Sequence, residues 1–275
     1  NIDTIAAGTH EVSCGAPFTV YLPARSQLTV TLQSDSAPRF AGTAADVNRY
    51  LQKPSALSTA AFAALWQVPP PTFRIRWQAA WQHEQRALAS VRGTDTAFRA
   101  RERARLKLRH AWGRVMYPFF RWRESDDPDV TVDPAVPALL RRASLADERW
   151  WSLTEHRELL GAVVHERART LLATTPALQR GDARWLRAEF AAVSSLFPEP
   201  ALQREAAFRV LFAHLDDNDS RGVDSVYQRW LALSPSASQR SQIDSMLNED
   251  RARMAAHPSA VYRQVDGVPL YVHVM

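Results

Sequence analysis

The feature that most constrains this fold is a change in the spacing of apolar residues at Gly42. Before Gly42, apolar and polar side chains alternate, as in residues 28–32, which is the pattern of strands with one buried face. After Gly42, apolar residues recur every three or four positions for about two hundred residues, the period of amphipathic helices. The sequence therefore predicts an α+β fold that is mainly α.

The segment before Gly42 predicts a small antiparallel β domain over residues 1–42. Three short strands are expected, at residues 10–13, 18–22 and 28–32, with turn sequences between them. Because such strands have one apolar face, the small sheet that they form needs a partner to cover it. The helices that follow are the expected partner.

The helical region is divided by clusters of proline, glycine and aspartate, which predict about seven or eight helices. The clusters lie at residues 69–71, 126–137, 175–176, 198–200, 216–222 and 234–238. No residue pattern returns at a fixed period, so we expect an irregular multi-helix bundle and no solenoid. The acidic, proline-containing segment 125–137 is the predicted hinge. It separates a first helical part, residues 43–130, from a second, residues 131–258.

A β pattern returns at the end of the chain. Residues 261–265 and 268–274 flank Asp266-Gly267, a strong signal for a two-residue hairpin turn. Pro269 restricts its strand to an edge or to a strand start, because proline cannot donate a ladder hydrogen bond. We expect residues 259–275 to form a β-hairpin that begins a further domain.

The basic composition is weak evidence for a nucleic-acid partner. The net charge is +5 and the pI is about 9.8, but all 34 basic residues except Lys53 and Lys107 are arginines, a bias that GC-rich coding produces without any partner. The densest arginine run covers residues 99–123. Its alternate spacing turns by about 200° per step on a helix, which spreads the charges around the cylinder, and acidic residues follow it. We expect no specific nucleic-acid partner, and keep Arg99, Arg103 and Arg109 as candidates for an interaction surface.

The motifs of common enzyme chemistries are missing from the sequence. The single cysteine, Cys14, excludes an intrachain disulfide and a cysteine metal cluster. There is no Gly-rich phosphate loop, Gly-x-Ser-x-Gly or Cys-x-x-Cys. His156 and His165, with Glu158 and Glu166 beside them, lie about 180° apart on a helix, so they cannot share a metal and are expected on solvated faces. We assign no catalytic residue, cofactor or metal.

Two further features of the sequence are candidate binding sites. Residues 217–222 imitate the start of a calcium loop, but Arg221 and Gln228 stand where oxygen ligands are required, so a helix cap and turn are expected. Most of the nine tryptophans have the helical spacing of core residues. Trp150 and Trp151 are adjacent and face different sides of the chain, so one of them is a candidate contact for a ligand, a second domain or a subunit.

No apolar run approaches the ~20 residues of a membrane span.

One segment has a family resemblance. Residues 40–51 read Phe-Ala-Gly-Thr-Ala-Ala-Asp-Val-Asn-Arg-Tyr-Leu, a strand end, a glycine and the start of a helix. This string resembles the N-terminal accessory region of TlpA-like, thioredoxin-fold disulfide reductases of the bacterial periplasm. The motif covers about residues 1–60, and the rest is similar in architecture only. The resemblance implies a periplasmic or secreted location and a thioredoxin domain after residue 275.

The expected function follows from the resemblance and from the missing motifs. We expect a non-catalytic accessory or scaffold region of a secreted bacterial protein, which positions or dimerises a catalytic domain beyond the C-terminus. The expected partner is protein, either that further domain or a second copy of the chain. One alternative is a standalone helical protein that binds a peptide or small ligand. Another is part of a thioredoxin-like reductase or of an α/β-hydrolase, since residues 262–275 are also similar to the opening hairpin of α/β-hydrolases.

Overall fold

The chain divides into two compact units, unit 1 (Asn1–Ala143) and unit 2 (Ser144–Met275). The structure, a computed structural model, describes residues 8–14, 16–32, 38–125, 133–143, 145–178, 183–218, 220–256, 260–265 and 268–273. Most described residues are helical and the strands form small antiparallel sheets, so the prediction of a mainly α member of the α+β class is confirmed.

The described part of unit 1 begins with four strands and continues with five helices. The strands are β1 (Gly8–Cys14), β2 (Ala16–Leu22), β3 (Thr29–Thr31) and β4 (Arg39–Ala41), and the helices are α1 (Ala45–Leu51), α2 (Thr59–Ala63), α3 (Pro70–Ser90), α4 (Thr96–Ser125) and α5 (Val136–Ala143). β1 pairs with β2 and β3 with β4, both antiparallel, in two separate two-stranded sheets.

The expectation of three strands in one sheet was therefore wrong. β4 was missed because it is three residues long and has one buried apolar side chain, Phe40, too short for an alternation to appear in the sequence. Phe40 packs with Val20 of β2 and Ala45 of α1 in a small apolar cluster. That cluster joins both hairpins to the first helix.

The end of unit 1 lies later in the chain than the boundary expected at residue 130. α5 packs on α4, and Asp133, which precedes α5, forms an ion pair with Arg114 of α4, with Nε donating to a carboxylate oxygen at 2.6 Å. These contacts attach Asp133, inside the predicted hinge, and α5 to unit 1. Residues 126–132, in the middle of that hinge, lie outside the described part.

A buried asparagine connects α1 to β2. The Asn48 side chain is 0% exposed; its Oδ1 accepts from the Tyr21 backbone N–H at 2.7 Å, and its Nδ2 donates to the Tyr21 carbonyl at 2.8 Å and to the Ala44 carbonyl at 2.7 Å. The Ala44 carbonyl also accepts from the Asn48 backbone N–H at 3.3 Å, so the two Tyr21 groups are the ones that depend on the amide, and leaving buried backbone groups unpaired costs free energy. The Asn48 amide thus fixes the position of α1 along the strand.

Aromatic side chains form the core between α2, α3 and α4. The Phe62 ring of α2 is fully buried and lies edge-on to neighbours at centroid distances of 4.9 to 6.1 Å. Its neighbours are Trp66, Phe73, Trp77, Trp112 and Phe120. Edge-to-face pairs of this kind are favoured over face-to-face stacking, so Phe62 fixes the relative rotation of the surrounding helices.

The Trp77 indole of α3 lies directly on the backbone of α4. Its Nε1 donates to the His110 carbonyl at 3.0 Å, and a Cβ added at Gly113 would overlap carbon atoms of the indole ring. Glycine is therefore required at position 113 by the close approach of the two helices. This contact compensates the cost of about 1 kcal/mol that a glycine imposes in a helix interior relative to alanine.

His110 is buried next to this contact. Its ring is 3% exposed and stacks on Trp81 at a centroid distance of 4.9 Å, and its Nε2 has no hydrogen-bond partner among the described residues. Burial lowers the pKa of His110 to about 4, with a smaller contribution from the positive charge of Arg114, while Asp133 acts in the opposite direction. The imidazole is therefore neutral at pH 7.

The described part of unit 2 contains five longer helices, two short 3-10 helices and a hairpin. The helices are α6 (Thr154–Thr174), α7 (Arg184–Leu196), α8 (Pro200–Asp217), α9 (Asp224–Leu231) and α10 (Ala237–Ala256), the 3-10 helices are Glu148–Trp150 and Pro176–Leu178, and the strands are β5 (Ala260–Val265) and β6 (Val268–His273). α6, α7 and α8 pack on one another around fully buried leucines, among them Leu160, Leu186 and Leu211.

The helix ends of unit 2 follow the proline and glycine signals of the sequence. α6 ends just before Pro176, α8 starts at Pro200, and α9 begins after Gly222, which has a left-handed φ of 73°. The predicted terminal hairpin is present as β5 and β6, which pair antiparallel, and Pro269 lies in an edge strand as expected. The turn residues Asp266 and Gly267 lie outside the described part.

A first prediction uses Gly113 and a second mid-helix glycine, Gly161 of α6, where an added Cβ would meet nothing within 4 Å. We expect Gly113→Ala to lower the free energy of unfolding by about 1–3 kcal/mol, the usual cost of overpacking a core. Gly161→Ala should raise it by up to about 1 kcal/mol, the difference in helix propensity. Urea denaturation followed by circular dichroism measures both, and a Gly113→Ala protein as stable as the parent would contradict the packing argument.

A second prediction concerns acid stability. Because the pKa of His110 falls from its ordinary 6.5 to about 4 on folding, the unfolded chain takes up a proton first as the pH drops. His110 therefore destabilises the fold progressively from about pH 6.5 down to pH 4, by about 3 kcal/mol in total. We expect His110→Phe, which keeps a ring against Trp81, to flatten this part of the stability-against-pH curve. His10→Phe serves as the control, and equal slopes in the parent and His110→Phe would contradict the prediction.

Candidate functional site

The three candidate arginines lie on α4 of unit 1, and two of them have contacts within that unit. Arg99 donates to the Thr94 hydroxyl at 2.5 Å and to the Val91 carbonyl at 3.1 Å. The Arg109 guanidinium lies over the Trp112 ring, 5.1 Å from its centroid. Arg103 is exposed. Other members of the run are paired as well, since Arg105 binds Glu102 and Arg114 binds Asp133.

Trp150 and Trp151 lie in unit 2, at the end of the short 3-10 helix that precedes α6. Both side chains are half-buried. The Arg149 guanidinium lies 5.1 Å from the Trp150 ring centroid, and Trp151 Nε1 donates to the Leu145 carbonyl at 3.2 Å. The two indoles therefore have neighbours of their own within the unit, and neither lines the cleft between α6, α7 and α8.

His156 and His165 occupy different environments on α6. His156 is 1% exposed, contrary to the expectation of a solvated position, and its Nε2 lies 2.9 Å from the Leu145 carbonyl oxygen. Burial lowers the pKa of His156, and the hydrogen bond to Leu145 partly offsets this. His165 is half-buried on another face of the helix. No group of three or more metal-binding side chains occurs among the residues that the structure describes.

The segment that imitates a calcium loop caps the end of α8 and is hydrogen-bonded to α10. Asn218 follows the last residue of α8 and donates its Nδ2 to the His214 carbonyl at 3.1 Å. The backbone N–H of Ser220 donates to the buried carboxylate of Asp250, at 2.7 Å, which joins the turn to α10. The Asn218 side chain and the Ser220 backbone therefore serve the fold.

A cleft of about 670 Å³ opens between α6, α7 and α8 of unit 2. Its walls include turns of α6 from Thr154 to His165, two residues of α7, Trp185 and Glu189, and the outer face of α8 from Ala206 to His214. Because α6 rises 1.5 Å per residue, the α6 wall is about 16 Å long. The cleft is within the size range of small-molecule sites, roughly 300–1,000 Å³.

The middle of the cleft is apolar. Leu160, Val164, Ala206, Val210, Phe212 and Ala213 line it. Gly161 lies among them on α6, and a Cβ at this position would point into open space. Unlike Gly113, this helical glycine is required neither by packing nor by its backbone conformation. The missing side chain leaves the backbone of α6 exposed at this position.

An aromatic pair forms part of the wall between α6 and α7. The His165 and Trp185 rings stack with their centroids 5.0 Å apart and their planes 3° apart, and His165 Nδ1 lies 3.4 Å from Glu189 Oε1. Trp185 is 38% exposed, one of the few large apolar side chains of the described residues with so much surface in solvent. It offers a flat apolar surface that Glu189 and His165 hold in place.

The charged residues of the cleft differ in whether an opposite charge lies beside them. Arg209 donates its Nε to the Glu205 carboxylate at 2.8 Å, and its guanidinium lies 5.3 Å from the Phe208 ring centroid. Arg157 donates only to the Thr154 hydroxyl, at 3.1 Å, and forms no ion pair with any residue in the described part of the chain. The positive charge of Arg157 is thus available to a ligand at the end of the cleft where α6 begins.

The cleft has the make-up of a site for an organic molecule. It combines an apolar middle with polar groups at its ends, which is the composition of binding pockets in general. The sequence presents His165 and Glu158 only as a possible metal cluster and Trp185 only as one of nine tryptophans, and no spacing signal brings the three together. The signal that could have indicated the cleft is Gly161, a glycine inside an otherwise regular amphipathic helix.

Comparisons with known proteins give no family for this chain. No protein-family model matches it, and neither a curated protein nor a solved structure matches it. Among the helices of the described residues, none is both long enough and apolar enough to cross a bilayer.

A third prediction concerns nucleic acid. Because arginines of the α4 run bind carboxylates, a hydroxyl, carbonyls and an aromatic ring within unit 1, we expect weak and sequence-independent DNA binding at most. Fluorescence-anisotropy titration with DNA duplexes of random sequence, at ~0.15 M salt, measures the affinity. Nanomolar affinity for one sequence over the others would contradict this expectation.

Proposed function

We propose that this chain is a non-catalytic binding module and that the cleft between α6, α7 and α8 holds a small, largely apolar organic ligand. The observation that supports this most directly is the cleft itself, about 670 Å³ with an apolar middle. An open apolar surface of this kind has a cost in water. The part of the lining that reaches solvent includes Phe212, which is half-buried, and Ala213 and the Trp185 indole, which are exposed. A ligand that covers this surface would remove that cost.

The arrangement of polar groups in the cleft favours binding over chemistry. Nucleophilic catalysis needs a hydroxyl or thiol within hydrogen-bond reach of a base. The described hydroxyl of the cleft, that of Thr154, accepts from Arg157, and His165 lies against Glu189 at the aromatic wall. These groups are arranged to hold a charge and a ring, which suits a role in ligand capture.

A fourth prediction tests the binding function. N-phenyl-1-naphthylamine, a neutral apolar dye that fluoresces in apolar surroundings, should bind the parent protein saturably with one site per chain. Gly161→Leu, which places a side chain in the middle of the cleft, should weaken dye binding by about tenfold or more. The leucine occupies space that the dye needs, and overfilling a packed space costs about 1–3 kcal/mol. Fluorescence titration measures both affinities, with circular dichroism to show that the variant is folded.

Thr170→Leu is the matched control for this experiment. It adds a leucine to the same helix at an exposed position that does not line the cleft, so it should leave dye binding unchanged. A dye that does not bind the parent, or that binds the parent and Gly161→Leu equally well, would refute the assignment of the cleft as the binding site.

The accessory role expected from the sequence is a second proposal. In the part of the chain that the structure describes, β5 and β6 pair only with each other and leave two strand edges without strand partners. Such edges accept another strand readily, and a two-stranded hairpin alone is marginally stable. This supports a scaffold role in which the hairpin joins a sheet of another domain or of a second copy. The resemblance to TlpA-like reductases supports a periplasmic or secreted location for such a protein.

A further inference from the structure

We propose that the ligand of the α6–α8 cleft is a small amphipathic carboxylate, with its charged group bound by Arg157 and its apolar part lying along α6 over Gly161. This inference rests on the proposed binding function and adds the chemical class of the ligand. Three observations support it: the uncompensated charge of Arg157, the open space at Gly161, and the apolar wall between them and His165.

The sign of the ligand charge follows from how the charged side chains of the cleft are paired. Arg209 is compensated by Glu205, and Glu189 lies against His165. Glu158 also lines the cleft, but one of its carboxylate oxygens is buried and therefore closed to a ligand, and the residue has an interaction of its own within the chain. Arg157 is left as the charge available to a ligand. A guanidinium binds a carboxylate through two parallel hydrogen bonds, so an anionic group is the matching partner.

The shape of the ligand follows from the order of residues along α6. Arg157 precedes Gly161 by four residues, which is about one helical turn, so the two lie on the same side of the helix. Val164 and His165 follow Gly161 by about another turn and lead to the exposed face of Trp185. A molecule with its carboxylate at Arg157 therefore continues across the Gly161 backbone onto apolar and aromatic side chains. A linear or arylalkyl acid has this form.

The glycine at 161 gives this inference an energetic basis. Gly161 costs the helix about 1 kcal/mol relative to alanine, and no described side chain uses the space that it leaves. In α4 the corresponding space is filled by the Trp77 indole. We infer that the space at Gly161 is filled in the same way by the apolar chain of the ligand.

The test compares two probes that differ in charge. Decanoate and decyltrimethylammonium have the same ten-carbon chain and opposite charges, and both are used below their micelle concentrations at ~0.15 M salt. Isothermal titration calorimetry on the whole chain should show decanoate binding at least about tenfold more tightly. Hydrogen bonds to a charged group are worth about 1.5–3 kcal/mol, which corresponds to a change in affinity of about ten- to a hundredfold. Arg157→Gln should therefore weaken decanoate by this factor and leave the neutral naphthylamine dye unaffected.

Matched variants separate this inference from the binding function. Arg184→Gln removes an exposed arginine of the same unit that does not line the cleft, and it should change neither probe. If the neutral dye binds but decanoate binds no more tightly than decyltrimethylammonium, or if Arg157→Gln leaves decanoate binding unchanged, the ligand class is wrong and the cleft remains a binding site. If neither the dye nor either charged probe binds the parent protein, both proposals fail.

Discussion

The contact between the Trp77 indole and the backbone of α4 determines how closely the two longest helices of unit 1 approach each other. The indole reaches the backbone because position 113 has no side chain, and its Nε1 is satisfied there by the His110 carbonyl. Phe62 and the other rings then close around this pair of helices. The same approach takes the His110 imidazole away from water. The close packing of α3 on α4 therefore also buries an ionisable ring.

Unit 2 contains a helical glycine of the opposite kind. At Gly113 the fold fills the space of the missing side chain, whereas at Gly161 the space opens into the cleft. Gly161 is exposed, so its missing side chain has no role in the packing of the core. Positions where the local structure disfavours a residue, as a helix disfavours glycine, and where no contact in the fold requires that residue are often functional. The contrast between these two glycines adds to the support that the size and apolar lining of the cleft give to the proposed binding function.

Much of the architecture could be predicted from the sequence, but little of the site. Helical spacing and proline signals gave the breaks before α3, after α6 and before α8, because these are local properties of the chain. β4 was missed because a three-residue strand has no period, and its pairing with β3 is a tertiary contact. The environments of His156 and Trp185 also depend on which helices pack together. A single sequence does not specify that packing, so a core histidine and a cleft tryptophan could not be distinguished from their neighbours.

The asparagine at position 48 has a consequence for how this protein behaves at high concentration. Its amide binds both the N–H and the C=O of Tyr21, in the way that a peptide group of a third strand would. That site on the outer edge of β2 is consequently closed to a strand from a neighbouring molecule, and unpaired strand edges are common starting points of aggregation. A single side chain from a helix thus acts as a cap on a β-ribbon. It provides the protection that larger sheets obtain by adding a further strand.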